Sequence, residues 1–179
     1  MSSYLGGRML IYHPFQDANH CVFRTLLLLE HSVHNEIDIE LYRLLDFYIL
    51  FPHLLKSISP LPVELRAYKR LLAKIPDPFE SMLNTKRIIH ELESLQTVAL
   101  HNLLAKKLID IDSFKSKKIK RTDEALPERI SVAISEAENA SEEWFRIISN
   151  ELPLVDFNGK KGLKMRAGLM EFRYDLEGL

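Results

Sequence analysis

Apolar positions along the chain recur at helical spacing. Val22, Leu26, Leu29 and Val33 fall at i, i+4, i+7 and i+11, and Phe23 and Leu27 widen the stripe. A helix over these residues therefore turns a broad face towards a core. Asp17 or Asn19 stands where its N-cap is needed. Asn35-Glu36-Ile37-Asp38 reads as a turn, with Asp38 capping a second helix that carries Leu41, Leu44, Leu45, Tyr48 and Ile49. That helix is expected to stop near Phe51-Pro52, because a residue before proline avoids the α region. Two helices joined by so short a turn form an antiparallel hairpin. Ahead of them, residues 8–12 are the one early strand-like run, closed by His13-Pro14.

Residues 57–62, with Pro60 and Pro62, read as a loop, and residues 63–74 resume a helix with Leu65, Tyr68, Leu71 and Leu72 on one side. Ile75-Pro76-Asp77-Pro78-Phe79 is the clearest break. It divides a helical N-terminal half, residues 1–75, from a C-terminal half, residues 76–179, the two expected to pack as one unit. Past the break, Asn84 or Thr85 caps a helix carrying Ile88, Ile89 and Leu92. A turn near Glu93-Ser94 would separate it from a second helix with Leu95, Val98, Ala99, Leu103 and Leu104. Residues 114–120 then alternate apolar and charged side chains. Helix, turn, helix and charged hairpin is the order of a winged helix-turn-helix; one continuous helix over residues 85–107 satisfies the same periodicity. Pro127 suits the first position of a later helix. Ile130, Ala133, Ile134, Ala137, Trp144, Phe145 and Ile148 then describe one long helix, or two broken near residues 139–141. Leu152-Pro153 ends it, residues 156–162 form a polar turn, and residues 163–179 fit either a last helix or strands. The expected fold is mainly α: a helical bundle with a winged-helix-like module carrying a small β wing.

Composition narrows the class. The chain has 179 residues, 46% of them hydrophobic, which suits a buried core rather than general disorder. Mean hydropathy is −0.09, and no apolar run approaches the roughly 18 to 20 residues of a membrane span. The first eight residues lack the basic and long apolar regions of an export leader. The single cysteine, Cys21, cannot form an internal disulfide, so a cytoplasmic location is expected. The formal charge of −1 excludes a globally basic nucleic-acid binder, yet it hides a segregation. Residues 106–121 hold seven cations against two anions, a net +5, and residues 124–151 hold seven anions against two cations, a net −5. The basic segment, Lys106, Lys107, Lys115, Lys117, Lys118, Lys120 and Arg121, is the candidate surface for DNA phosphates or an acidic partner. Pairing with the acidic segment would use the same charges. Base reading has little support, since the presumed second helix offers Gln96, Thr97, His101 and Asn102 but no arginine.

Catalytic chemistry is not indicated. No Gly-x-Ser-x-Gly elbow or phosphate-cradling loop exists, the six glycines being Gly6, Gly7, Gly159, Gly162, Gly168 and Gly178. Cys21, beside Val22 and Phe23, reads as a small buried hydrophobe. His31 and His34 share a helix face at i, i+3. His20 lies eleven residues earlier, about 16 Å along a straight helix, and the spacing matches no standard zinc motif. Neither metal nor cofactor is expected.

One stretch carries a resemblance. Leu10-Ile11-Tyr12-His13-Pro14, then Asp17, His20, Cys21 and Arg24, and on through Leu41-Tyr42-Arg43-Leu44-Leu45-Asp46-Phe47-Tyr48 to Phe51-Pro52, resembles the small middle component of bacterial three-component ABC systems, among them Lamassu-type anti-phage operons. The likeness covers residues 8–60 in detail. It implies a non-catalytic accessory subunit that binds an SMC-like or Rad50-like ATPase and couples DNA sensing to an effector nuclease. By residue type, Tyr12, His13, Arg24, Tyr42 and Arg43 are the candidate partner contacts. The rival reading is a free-standing winged-helix DNA-binding regulator.

Overall fold

The computed structural model describes residues 17–78 and 84–169. Helix α1 spans Ala18–His31, capped by Asp17, whose carboxylate accepts the Asn19 N–H at 2.7 Å. The four consecutive leucines Leu26 to Leu29 are all buried, so α1 is enclosed on most of its circumference. Val33, expected on the same stripe, lies beyond the helix end and is 75% exposed. Strand β1, Ile37–Asp38, leads directly into helix α2, Ile39–Leu50, with Asp38 at the N-cap. Helix α2 stops before Pro52 as the proline rule requires. Residues Pro52–Ser57 then wind as a 3₁₀ turn, and the expected helix over residues 63–74 is a 3₁₀ turn, Val63–Tyr68, followed by helix α3, Lys69–Lys74.

Helix α4 is one uninterrupted helix, Thr85–Ala105, capped by the Asn84 side chain accepting the Arg87 N–H at 2.9 Å. No turn forms at Glu93-Ser94. Neither residue breaks a helix, and the Ser94 hydroxyl donates to the Glu91 carbonyl within it. Leu92, Gln96, Ala99, Leu100 and Leu103 are all buried across the supposed break, so continuity keeps one face packed along the full length. Helix α4 packs most extensively on α1 and next on α2. The three helices, drawn from both sides of residue 75, share one core with Tyr42, Phe47 and Tyr48.

The anticipated wing takes a different form. Residues Ile111–Lys115 form helix α5, capped by Asp110. Strand β2, Lys118–Ile119, pairs antiparallel with β1, placing Ile37 opposite Ile119 and Asp38 opposite Lys118. A bridge joins Ile109 to Arg121 on the other side. Ile37, Ile109 and Ile119 are buried, so the small sheet closes the end of the core rather than projecting from it. Of the alternation over residues 114–120, Phe114 and Lys115 belong to helix α5 and only Lys118–Ile119 form a strand, whose partner comes from another part of the chain.

Helix α6, Glu128–Ser135, has Pro127 as its N-cap, one position earlier than expected. Helices α7, Glu138–Ser141, and α8, Glu143–Arg146, follow, so the apolar run breaks at residues 136–137 and 142 rather than once near 140. Ile147–Glu151 widen into a π-helical turn. Its backbone and Asn150 receive hydrogen bonds from the segment after α1: Ser32 Oγ to Ser149 O at 3.2 Å and the Val33 N–H to Asn150 Oδ1 at 2.8 Å. Helix α9, Leu163–Ala167, begins the region that read as helix or strand. No helix among the described residues is long and apolar enough to cross a membrane.

The enclosed face of α4 predicts a sharp contrast along one turn. Leu100→Ala should cost about 2–5 kcal/mol, whereas Asn102→Ala, at an exposed position, should stay within about 0.5 kcal/mol. Urea denaturation of the two variants measures both.

Candidate functional site

Asp46 stands in the middle of α2 and is fully buried. Its carboxylate receives a two-pronged contact from Arg24 of α1, Nε to Oδ1 at 2.7 Å and the second guanidinium nitrogen to Oδ2 at 3.1 Å. Gln96 of α4 donates to the same Oδ2 at 2.9 Å and to the Arg43 carbonyl at 3.1 Å. Beside them the Thr25 and Tyr42 hydroxyls lie 2.7 Å apart, and Thr25 donates to the Cys21 carbonyl at 2.8 Å. Arg24 and Tyr42, two of the candidate partner contacts, are therefore interior residues that tie α1, α2 and α4 together. An Asp in an apolar stripe, Leu44-Leu45-Asp46-Phe47, was the sequence signal for such a site; Thr25 and Gln96 carried none.

Burial, reinforced by the Asp46 charge, pushes the Cys21 thiol from an ordinary 9.0 to about 12. Burial likewise raises Tyr42 well above the usual phenol range, again with help from Asp46. These groups are held neutral inside the bundle, which suits packing and not nucleophilic chemistry.

Arg43 is the one candidate partner contact that is both described and partly exposed. It pairs with Glu93 and donates to Thr97 Oγ1 at 3.3 Å. It lines an open cleft of about 460 Å³ together with Asp38, Glu40, Lys117, Phe157 and Asn158. Glu40 also pairs with Lys164 at 3.5 Å. The fold thus brings together Arg43 and Lys117, residues expected to serve separate surfaces. Tyr12 and His13 lie outside the described residues.

The basic segment divides by environment. Arg121 is spent internally: its Nε donates to Glu30 at 2.6 Å, and its other nitrogens donate to the carbonyls of Leu108, Thr122 and Glu124. Lys115 pairs with Asp112 and Lys118 with Glu36, each at 3.2 Å. The hydrogen bond from Lys118, with a second from Ser113, holds the Glu36 carboxyl below the usual range. Lys106, Lys107, Lys117 and Lys120 are exposed and make no ion pair among the described residues. Of the four residues expected on a recognition helix, Gln96 and Thr97 are taken up by contacts within the bundle, whereas His101 and Asn102 are exposed. Gln96 is buried, Thr97 bonds to Arg43 and to the Glu93 carbonyl, and His101 meets Phe114 edge-on at 5.9 Å.

The histidine pair is held by backbone. His31 Nδ1 lies 2.9 Å from the Leu27 carbonyl, and His34 Nε2 lies 2.9 Å from the Asn150 carbonyl. Among the described residues no three His, Cys, Asp or Glu side chains converge as metal ligands would.

Comparison with known families supplies the class. Residues 10–175 match the family model described as ABC-three component (ABC-3C) system Middle Component 5, and the chain belongs to that family. No curated protein and no solved structure matches it. A middle component implies partner subunits, and the chain is an accessory member of a three-component system.

Two outcomes follow from the polar interior. Asp46→Ala should cost about 3–5 kcal/mol, because it strands the Arg24 guanidinium; denaturation of Asp46→Ala and of Arg24→Met with Asp46→Leu should show the double variant recovering most of the loss. Cys21 should resist a disulfide reagent at pH 8 in the native protein and react fully on unfolding. Since its folded value is raised, its contribution to stability is present below about 9 and declines as pH climbs towards about 12. Comparing the alkaline limb of a stability profile with that of Cys21→Ala checks the sign.

Proposed function

We propose that this chain is the non-catalytic accessory subunit of a cytoplasmic, Lamassu-type anti-phage or anti-plasmid complex. In that complex it bridges an SMC-like or Rad50-like ATPase and an effector nuclease, and its basic edge contacts DNA. Membership of the middle-component family over residues 10–175 carries the reading. The structure supports it in two respects. Arg24, Asp46, Thr25 and Tyr42 of the bundle interior are engaged in mutual contacts, as in a scaffold. The charged residues left over lie in patches on different elements, as an adaptor touching several surfaces would need. The Arg43 cleft, with cations, carboxylates and Phe157 together, suits a protein partner, because interfaces favour arginine and aromatic anchors within a polar rim.

The test is co-purification. Expressed with an SMC-like ATPase of a three-component system, the chain should elute as a stable complex, and Arg43→Glu should weaken that complex at least tenfold without unfolding the subunit. A folded, monodisperse chain that never associates with the ATPase overturns the reading.

A further inference from the structure

Four described residues have left-handed backbone: Gly159 at φ 89°, Gly168 at φ 62°, Lys107 at φ 58° and Lys117 at φ 60°. A β-carbon disfavours this conformation, so glycine is the usual residue where a helix ends in it. The chain uses glycine at two such positions and lysine at the other two. Both lysines close helices. After α4 the Lys107 N–H donates to Leu104 O and the Leu108 N–H to Leu103 O, each at 2.9 Å. After α5 the Lys117 N–H donates to Phe114 O at 2.9 Å. Glycine would close either end without strain. Attraction to the helix C-terminus does not require lysine here, because Lys106 and Lys115 already occupy those ends.

The two strained lysines share one edge. Thr122 Oγ1 donates to the Lys107 carbonyl at 2.6 Å, and the Lys117 carbonyl receives the Ile39 N–H at 2.9 Å. Between them runs the extended segment 118–121, which at about 3.3 Å per residue separates the two lysines by roughly 15 Å. Lys120 projects from that segment on the face opposite buried Ile119. A single carboxylate or phosphate cannot satisfy cations spread over this distance; a repeating anion can. Duplex DNA presents one charge per roughly 1.7 Å of axis. Phe114 of helix α5, the aromatic ring nearest in sequence to this segment, is half-buried against His101, which offers no open platform for unstacked bases.

We infer that Lys107 and Lys117 are kept in strained backbone for their charge, and that with Lys106 and Lys120 they form a ridge that tracks the phosphates of duplex DNA without reading bases. The inference rests on the DNA contact proposed above and specifies its residues and its mode.

Anisotropy with a labelled 30-base-pair duplex of arbitrary sequence, titrated with salt, tests it on the full chain and on the ATPase-bound complex. Lys107→Gly and Lys117→Gly should each raise the thermal midpoint by about 2–4 °C. Each should also lower the logarithmic salt slope by about 0.9 and weaken binding several-fold, equally for unrelated sequences. Lys74→Ala, an exposed lysine elsewhere, should change neither slope nor affinity. Glycine variants that gain stability but bind DNA unchanged overturn the inference, as does equal loss with Lys74→Ala. It also fails if neither chain nor complex binds DNA, or if Lys107→Gly, at a residue that does not line the Arg43 cleft, loses the ATPase instead, which would assign the ridge to an acidic protein face. A chain that never joins an ATPase, yet loses slope with each glycine, would sink the assembly and leave the ridge standing.

Discussion

The Arg24–Asp46 pair is the constraint around which the bundle is arranged. A carboxylate removed from water is tolerated only where a fixed partner and further donors replace its hydration. Here the donors come from two other helices, Arg24 on α1 and Gln96 on α4. Leucine-rich faces would pack in many rotations and slides with little difference in energy; a two-pronged guanidinium contact at 2.7 and 3.1 Å does not. The pair therefore specifies the register of α1, α2 and α4 more than it adds to their stability. Thr25 and Tyr42 extend the same polar seam.

That register decides what the rest of the chain can present. With Gln96 drawn inward to Asp46, and Leu92, Ala99, Leu100 and Leu103 packed beside it, α4 belongs to the core along its length. That closes one face of the helix to any partner, while the opposite face, with His101 and Asn102, stays exposed. The basic residues instead occupy the places where helices end and the small sheet begins. They sit at the margins of the core because the core has no room for them.

The segregation of charge survives folding in altered form. Arg121, Lys118 and Lys115 are neutralised by Glu30, Glu36 and Asp112, none of which belongs to the acidic segment after residue 124. Glu30 and Glu36, from outside the segment, trim the +5 of residues 106–121 locally, and four of its lysines make no ion pair among the described residues. Glu128, Glu136, Glu138, Glu142 and Glu143 are likewise exposed on α6 to α8 and the turns between them. Near-neutral total charge describes neither surface. The family to which the chain belongs operates with partner subunits, and opposed patches on one small body suit that setting.

Much of the fold was legible along the chain. Helical periodicity marked α1, α2 and α4, proline marked the end of α2, and Asp17, Asp38 and Asn84 were among the N-cap candidates because each of these is set by neighbours within a turn or two. What only the tertiary structure decided involved partners distant in the chain. Strand β2 pairs with residues some 80 positions earlier, Asp46 meets Gln96 fifty residues on, and Arg24 and Tyr42 turn inward. Periodicity says that a face is buried but not against what, and a polar residue on that face reads the same whether it meets a partner protein or another helix of its own chain. The left-handed Lys107 and Lys117 were hidden for a related reason: sequence marks such positions by glycine, and here the backbone is bent by packing around residues that would not choose it.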